Sequence, residues 1–174
     1  MSKIPESQKS ESEKIQLEHD AAKLFMRWYE KDTGHHIRHL WHNRPAKPDT
    51  STLLEGVRLD LEIAHLYGTE EEAMKLLGRD LPDTTKLALH LLERSTDADD
   101  RLLNALNRIL QNKAEKSYKS DRVWLVIRNA HPNWNADRIR RLCSAIDVPM
   151  DHPFEQIWIV GDFKGESGIV RLFP

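Results

Sequence analysis

A single cysteine, Cys143, leaves no partner for an internal disulfide, so the chain is expected to fold without cross-links in a reducing compartment. No apolar run approaches the roughly 20 residues needed to span a bilayer, and no secretory leader is visible. A cytoplasmic protein without a membrane partner is the expectation. Charge of one sign is not in excess either: 26 Lys and Arg face 28 Asp and Glu, for a formal net charge of −2. That excludes a cationic coat. It leaves room for a local basic groove, since a phosphate path needs positive charge only along its length. No Gly-rich phosphate loop, internal repeat or low-complexity tract is present.

The 174 residues suit one domain with a core of its own, and the 39% apolar and 31% charged content is globular. Residues 1–10 lack an apolar period and read as a disordered lead-in, with one domain over 11–174. From Glu11 to Lys31, Ile15, Leu17, Ala21, Ala22, Leu24, Phe25 and Trp28 recur at helical spacing, and Gly34 stops the helix. A short strand over His36–Asn43 and a proline loop at Arg44–Pro48 follow. Thr50–Leu54 and Val57–Tyr67 flank the turn Glu55-Gly56 as a β-hairpin. Helices are predicted from a Thr69 cap to Gly78, from Asp83 to Glu93 and from Asp97 to Tyr118. The run Val123–Ile127 suits a strand covered on both faces. Asn135 caps a helix containing Ile139, Leu142, Cys143 and Ile146. Strands around Ile157–Val160 and over Ile169–Phe173 close the chain. The fold class is α/β in the α+β sense, a central mixed sheet flanked by helices.

Side chains alternate along a strand, so Leu59, Leu61 and Ile63 point one way and Asp60, Glu62 and Ala64 the other. Two carboxylates on the face of an interior strand need compensation, because buried unpaired charge is strongly disfavoured. A divalent cation supplies it, and Asp49 at the start of the neighbouring strand completes a hard-oxygen set of the kind magnesium prefers. The alternative is a wet sheet edge where Asp60 and Glu62 pair with Arg58 or another base.

Pro48-Asp49, the hairpin, Asp60-x-Glu62, the helices and the strand Val123–Ile127 together resemble the PD-(D/E)xK nuclease superfamily, the restriction-endonuclease-like fold. The resemblance covers about Glu11–Val160 and rests on element order and a short motif. It implies a magnesium- or manganese-dependent endonuclease, a hydrolase of phosphodiester bonds acting on nucleic acid, DNA before RNA. It also implies metal held by Asp49 and the acid of the third strand, and a lysine two residues on that orients water. With Glu62 as the acid, Ala64 occupies the lysine position. With Asp60 as the acid, Glu62 occupies it, and this alignment leaves no gap in the chemistry.

Some members borrow the lysine from a following helix. Lys113 continues the stripe Leu102, Leu106, Ile109 and is the candidate, against a plain snorkelling lysine. Glu18, inside the apolar face of the first helix, matches the family's fourth acid. The candidate catalytic set is therefore Asp49, Asp60, Glu62, Lys113 and Glu18, with Asp49, Asp60 and Glu62 on the metal. The bases Lys113, Lys116, Lys119 and Arg122, or Arg138, Arg140 and Arg141, could carry the nucleic-acid backbone.

Two other readings stay open. An inert binding or protein-interaction module of the same fold fits the alanine at position 64. The histidines at 35, 36, 39 and 42 invite zinc, but no cysteine or HExxH pattern accompanies them. A homodimer is also left open.

Overall fold

The computed structural model describes residues 6–43, 48–69, 82–95 and 97–174. Helix α1 covers Glu6–Thr33, followed by strands β1 (Ile37–His42), β2 (Thr50–Leu54) and β3 (Val57–Leu66). Helices α2 (Asp83–Ser95) and α3 (Ala98–Ala114) lead to β4 (Val123–Asn129). Helix α4 (Ala136–Arg141) and a 3-10 turn (Cys143–Ala145) precede β5 (Gln156–Val160) and β6 (Ile169–Phe173). The helix expected over Thr69–Gly78 lies mostly outside the described residues.

The six strands form one mixed sheet in sequence order, β1-β2-β3-β4-β5-β6. Strands β3, β4 and β5 are mutually parallel, and the remaining neighbours are antiparallel. The hairpin turn puts Glu55 and Gly56 at positive φ (49° and 79°), which the glycine accommodates without steric cost.

Alternation along β3 divides the core in two. Leu59, Leu61 and Ile63 join Trp124, Val126 and Trp158 beneath Ala21, Ala22, Phe25 and Tyr29 of α1. On the other face, Leu66, Val123, Leu125, Ile127 and Ile157 pack with Leu102, Leu106 and Leu110 of α3 and with Ala136 and Ile139 of α4. Helices α3 and α4 lie within the two successive parallel crossovers, and crossovers of one hand place both helices on one face.

Three boundaries differ from the sequence expectation by more than two residues. Helix α1 begins at Glu6, inside the segment read as lead-in, where Glu, Gln and Lys are good helix formers even without an apolar face. Helix α3 stops at Ala114, and Tyr118 leaves the helical path to pack on Phe154 with ring centroids 5.6 Å apart. Helix α4 ends at Arg141 instead of continuing through Ile146. The Leu142 N–H is shared between the Arg138 and Ile139 carbonyls, a tightened last turn that passes into the 3-10 segment.

Phe25 is the hub of the α1 face, with its ring 5.6 Å from Tyr29, 6.2 Å from Trp124 and 5.6 Å from Trp158. Phe25→Ala is expected to cost about 3–5 kcal/mol of stability by urea titration. The near-UV circular dichroism should weaken in the same variant, as Trp124 and Trp158 each lose one of two ring neighbours and keep Tyr29.

Candidate active site

The hairpin register sets the geometry. Thr50 faces Leu61 and Ser51 faces Asp60, so Asp49, one residue before β2, lies across from Glu62. Its carboxylate takes the place of a backbone partner: Oδ2 accepts the Ile63 N–H at 3.1 Å. Asn43 pins this corner, donating its backbone N–H to the Asp49 carbonyl and its side-chain amide to Pro48 O (3.0 Å) and Ser51 Oγ (2.8 Å).

Glu62 points to the α3 face and is 1% exposed. Lys113, in the last turn of α3, reaches it from above the sheet face, with Nζ 2.8 Å from Oε1. The inward position expected for Lys113 is therefore occupied, and its ammonium compensates a buried carboxylate. Nearby, the Tyr118 hydroxyl is buried without a hydrogen-bond partner. Its pKa is raised by burial and then by the negative charges of Glu62 and Asp49.

Glu18 comes from the opposite layer, at the flank of α1, and is 5% exposed. Burial lifts its pKa to about 7, the charges of Asp49 and Glu62 add to the effect, and Lys14 and Lys113 oppose it. His42 Nδ1 lies 4.0 Å from Glu18 Oε2, and the His42 ring is 6.1 Å from His19. Burial, followed by the charge of His42, lowers the His19 pKa. Glu18, Asp49, Glu62 and Lys113 thus act on one another electrostatically, although they come from α1, the start of β2, β3 and α3.

Asp60 lies in a different network, two residues before Glu62 on the same face. Oδ1 accepts from Ser51 Oγ (2.6 Å) and Arg58 Nε (2.9 Å), and Oδ2 accepts from Ser120 Oγ (2.6 Å). Sequence reasoning missed both serines. Their signal was positional: Ser51 is the register partner of Asp60, and Ser120 precedes the residue (Val123) that pairs with Asp60 in β4.

The four clustered histidines diverge. His35 lies against Glu55, His36 against Glu30, and His39 sits at φ 62° in a bulge of β1, while His42 turns toward Glu18. Among the described residues, no three His, Cys, Asp or Glu side chains already stand as a metal cage. The donor chemistry at Glu18, Asp49 and Glu62 nonetheless fits a hard cation. All three are carboxylates, the oxygen donors a hard cation takes. The Glu18 pKa is raised first by burial, with the charges of Asp49 and Glu62 adding to it.

Comparison with known proteins adds no assignment: no protein-family model, curated protein or solved structure matches the chain.

Two outcomes follow from the charges. Glu18 binds its proton more tightly folded than unfolded, so its contribution to stability is full below about pH 4.5 and declines as pH rises toward 7. Glu18→Gln should therefore melt higher than wild type at pH 8, by on the order of 3 kcal/mol at most, with little difference at pH 4. Lys113→Met should cost about 3–5 kcal/mol by leaving Glu62 charged and buried. Adding Glu62→Gln to that variant should recover much of the loss, a coupling that a double-mutant cycle in urea would measure.

Proposed function

We propose that the protein is a magnesium-dependent phosphodiesterase acting on nucleic acid, with the centre at Glu62, Asp49, Glu18 and Lys113. The observation that carries this reading is the Lys113–Glu62 contact of 2.8 Å. In the resemblance to PD-(D/E)xK nucleases, Glu62 is then the third-strand acid, and the lysine absent at Ala64 is supplied from α3. This differs from the alignment that makes Asp60 the acid, because the Asp60 carboxylate is already engaged by Ser51, Arg58 and Ser120.

Asp49 and Glu62, with Glu18 where deprotonated, would hold the metal. When bound, magnesium would supply an activated water and charge compensation on the phosphoryl oxygens. Loading has to draw the carboxylates together, since they are not arranged as a finished cage. Lys113 has three donors, so an ammonium released in part from Glu62 can orient water or neutralise a phosphoryl oxygen. The Tyr118 hydroxyl, held in its neutral form by burial and the same carboxylates, is a further donor at this place.

The test combines cleavage with metal-induced stabilisation. Plasmid, linear DNA and RNA are incubated with magnesium, manganese or chelator. Wild type should cut only with metal, and Asp49→Asn and Glu62→Gln should not cut. Lys113→Ala should lose about 10²–10⁴-fold in rate while keeping most of the metal-induced rise in melting temperature. That rise corresponds to about 2.7 kcal/mol at a metal concentration a hundredfold above Kd. A wild type with neither cleavage nor a metal shift would make an inert module of the same fold the better description.

A further inference from the structure

Beside the Glu62–Lys113 centre lies an open cleft of about 270 Å³, lined by Arg58, Asp60, Lys119, Ser120, Asp121 and Arg122. We propose that this cleft is a phosphate subsite for a nucleic-acid strand, taking a phosphodiester next to the one that reaches Glu62 and Lys113. The proposal rests on reading that centre as a phosphodiesterase site.

The cleft carries three cations, Arg58, Lys119 and Arg122, against two carboxylates, Asp60 and the exposed Asp121. Asp60 forms part of the wall, and its carboxylate is taken up by Ser51, Arg58 and Ser120. The carboxylate therefore repels an incoming anion less than its formal charge suggests, and it fixes Arg58 instead. Arg58 uses Nε on Asp60 and Nη2 on Ser51 Oγ, while 60% of its side chain remains exposed. A guanidinium held along one edge presents its remaining N–H groups to an anion with little further loss of entropy. Lys119 is exposed and makes no hydrogen bond or ion pair among the described residues. Arg122 is held by Glu155 at 3.0 Å, which fixes its direction at the cleft wall.

An aromatic group completes the surface. Trp41 on the edge strand β1 is 38% exposed, and the Arg58 guanidinium lies 5.8 Å from its ring centroid. Cations along a path with an exposed indole beside them suit a strand whose phosphates meet the bases and whose nucleobase stacks. An acidic peptide would use the cations but has no need of the indole. Position points the same way: Asp60 and Glu62 are two residues apart on one face of β3, or roughly 7 Å. That separation lets one extended strand engage both places. Asp60 is then a positioning residue that acts through Arg58 and does not touch the reacting atoms.

The test measures binding without cleavage. Fluorescein-labelled single-stranded DNA, duplex DNA and RNA of one sequence are titrated with the full chain in chelator, and anisotropy is followed across a salt series. For the tightest ligand, Lys119→Glu should weaken binding about tenfold or more. Lys119→Ala should reduce the slope of log K against log salt by about 0.7–0.9, one phosphate contact. Lys119→Arg should bind as wild type does. Trp41→Ala should weaken binding while leaving the salt slope unchanged, because stacking carries no charge. Melting temperatures should not move in the Lys119 variants. Unchanged affinity in Lys119→Glu, or a wild type that binds none of the three ligands, would overturn the proposal. Failure here and failure of the centre remain distinct. Lys119→Glu binding normally while Glu62→Gln abolishes cleavage removes the cleft alone. Lys119→Glu binding weakly while Glu62→Gln still cuts removes the centre alone.

Discussion

Two carboxylates on the inner face of a central strand are the constraint from which the rest of this molecule follows. Strand β3 is hydrogen-bonded on both sides, and both acids are almost wholly buried, Glu62 under α3 and Asp60 at the wall of the cleft, so neither is freely solvated. Each must be compensated from within the fold, and the two solutions differ. Asp60 is held by short-range neighbours: two hydroxyls and an arginine on the adjoining strand positions and the loop before β4. Glu62 depends on a lysine 51 residues away, which requires α3 to end at the right height above the sheet. Removing one partner of such a pair costs far more than the pair itself contributes, so the placement of α3 and the charge on β3 constrain each other.

That difference in range explains how much could be read from the sequence. The helical period of α1, the hairpin turn at Glu55-Gly56 and the apolar run of β4 are local signals, and the corresponding elements lie where those signals place them. The helix ends that moved at the C-terminal side are set by contacts that periodicity does not carry, while the earlier start of α1 follows from the helix-forming residues before Glu11. Tyr118 prefers Phe154 to another helical turn, and Leu142 closes α4 early. The order of the sheet follows from antiparallel pairing of strands adjacent in sequence at either end and the helical crossovers between the parallel strands.

At the candidate site, alternation was enough to put Asp60 and Glu62 on one face and Lys113 on the inner stripe of its helix. It could not say which acid stands opposite Asp49. A two-residue turn settles that by register, because pairing Leu54 with Val57 carries Asp49 to Glu62. Motif spacing pointed to Asp60 because it left no gap in the expected chemistry. What motif spacing could not contain was the state of the Asp60 oxygens, which depends on Ser51 and Ser120, remote in sequence and unremarkable in type. Glu18 was legible as an acid within an apolar helical face. Its coupling to Asp49 and Glu62 was not, since that requires α1 to lie over the open end of the hairpin.

The near balance of charge across the whole chain is compatible with a local excess of one sign. Three carboxylates against one lysine stand at Glu18, Asp49, Glu62 and Lys113, while at the neighbouring cleft Arg58, Lys119 and Arg122 outnumber Asp60 and Asp121 by one. The two regions are separated by about two strand residues, which is within a Debye length at physiological salt, so each acts on the other with little screening. A cation drawn to the acids and an anion drawn to the bases would therefore favour each other's binding. Net charge averages that dipole to nearly nothing. The arrangement becomes visible only when each side chain is assigned to a strand, a face and a partner.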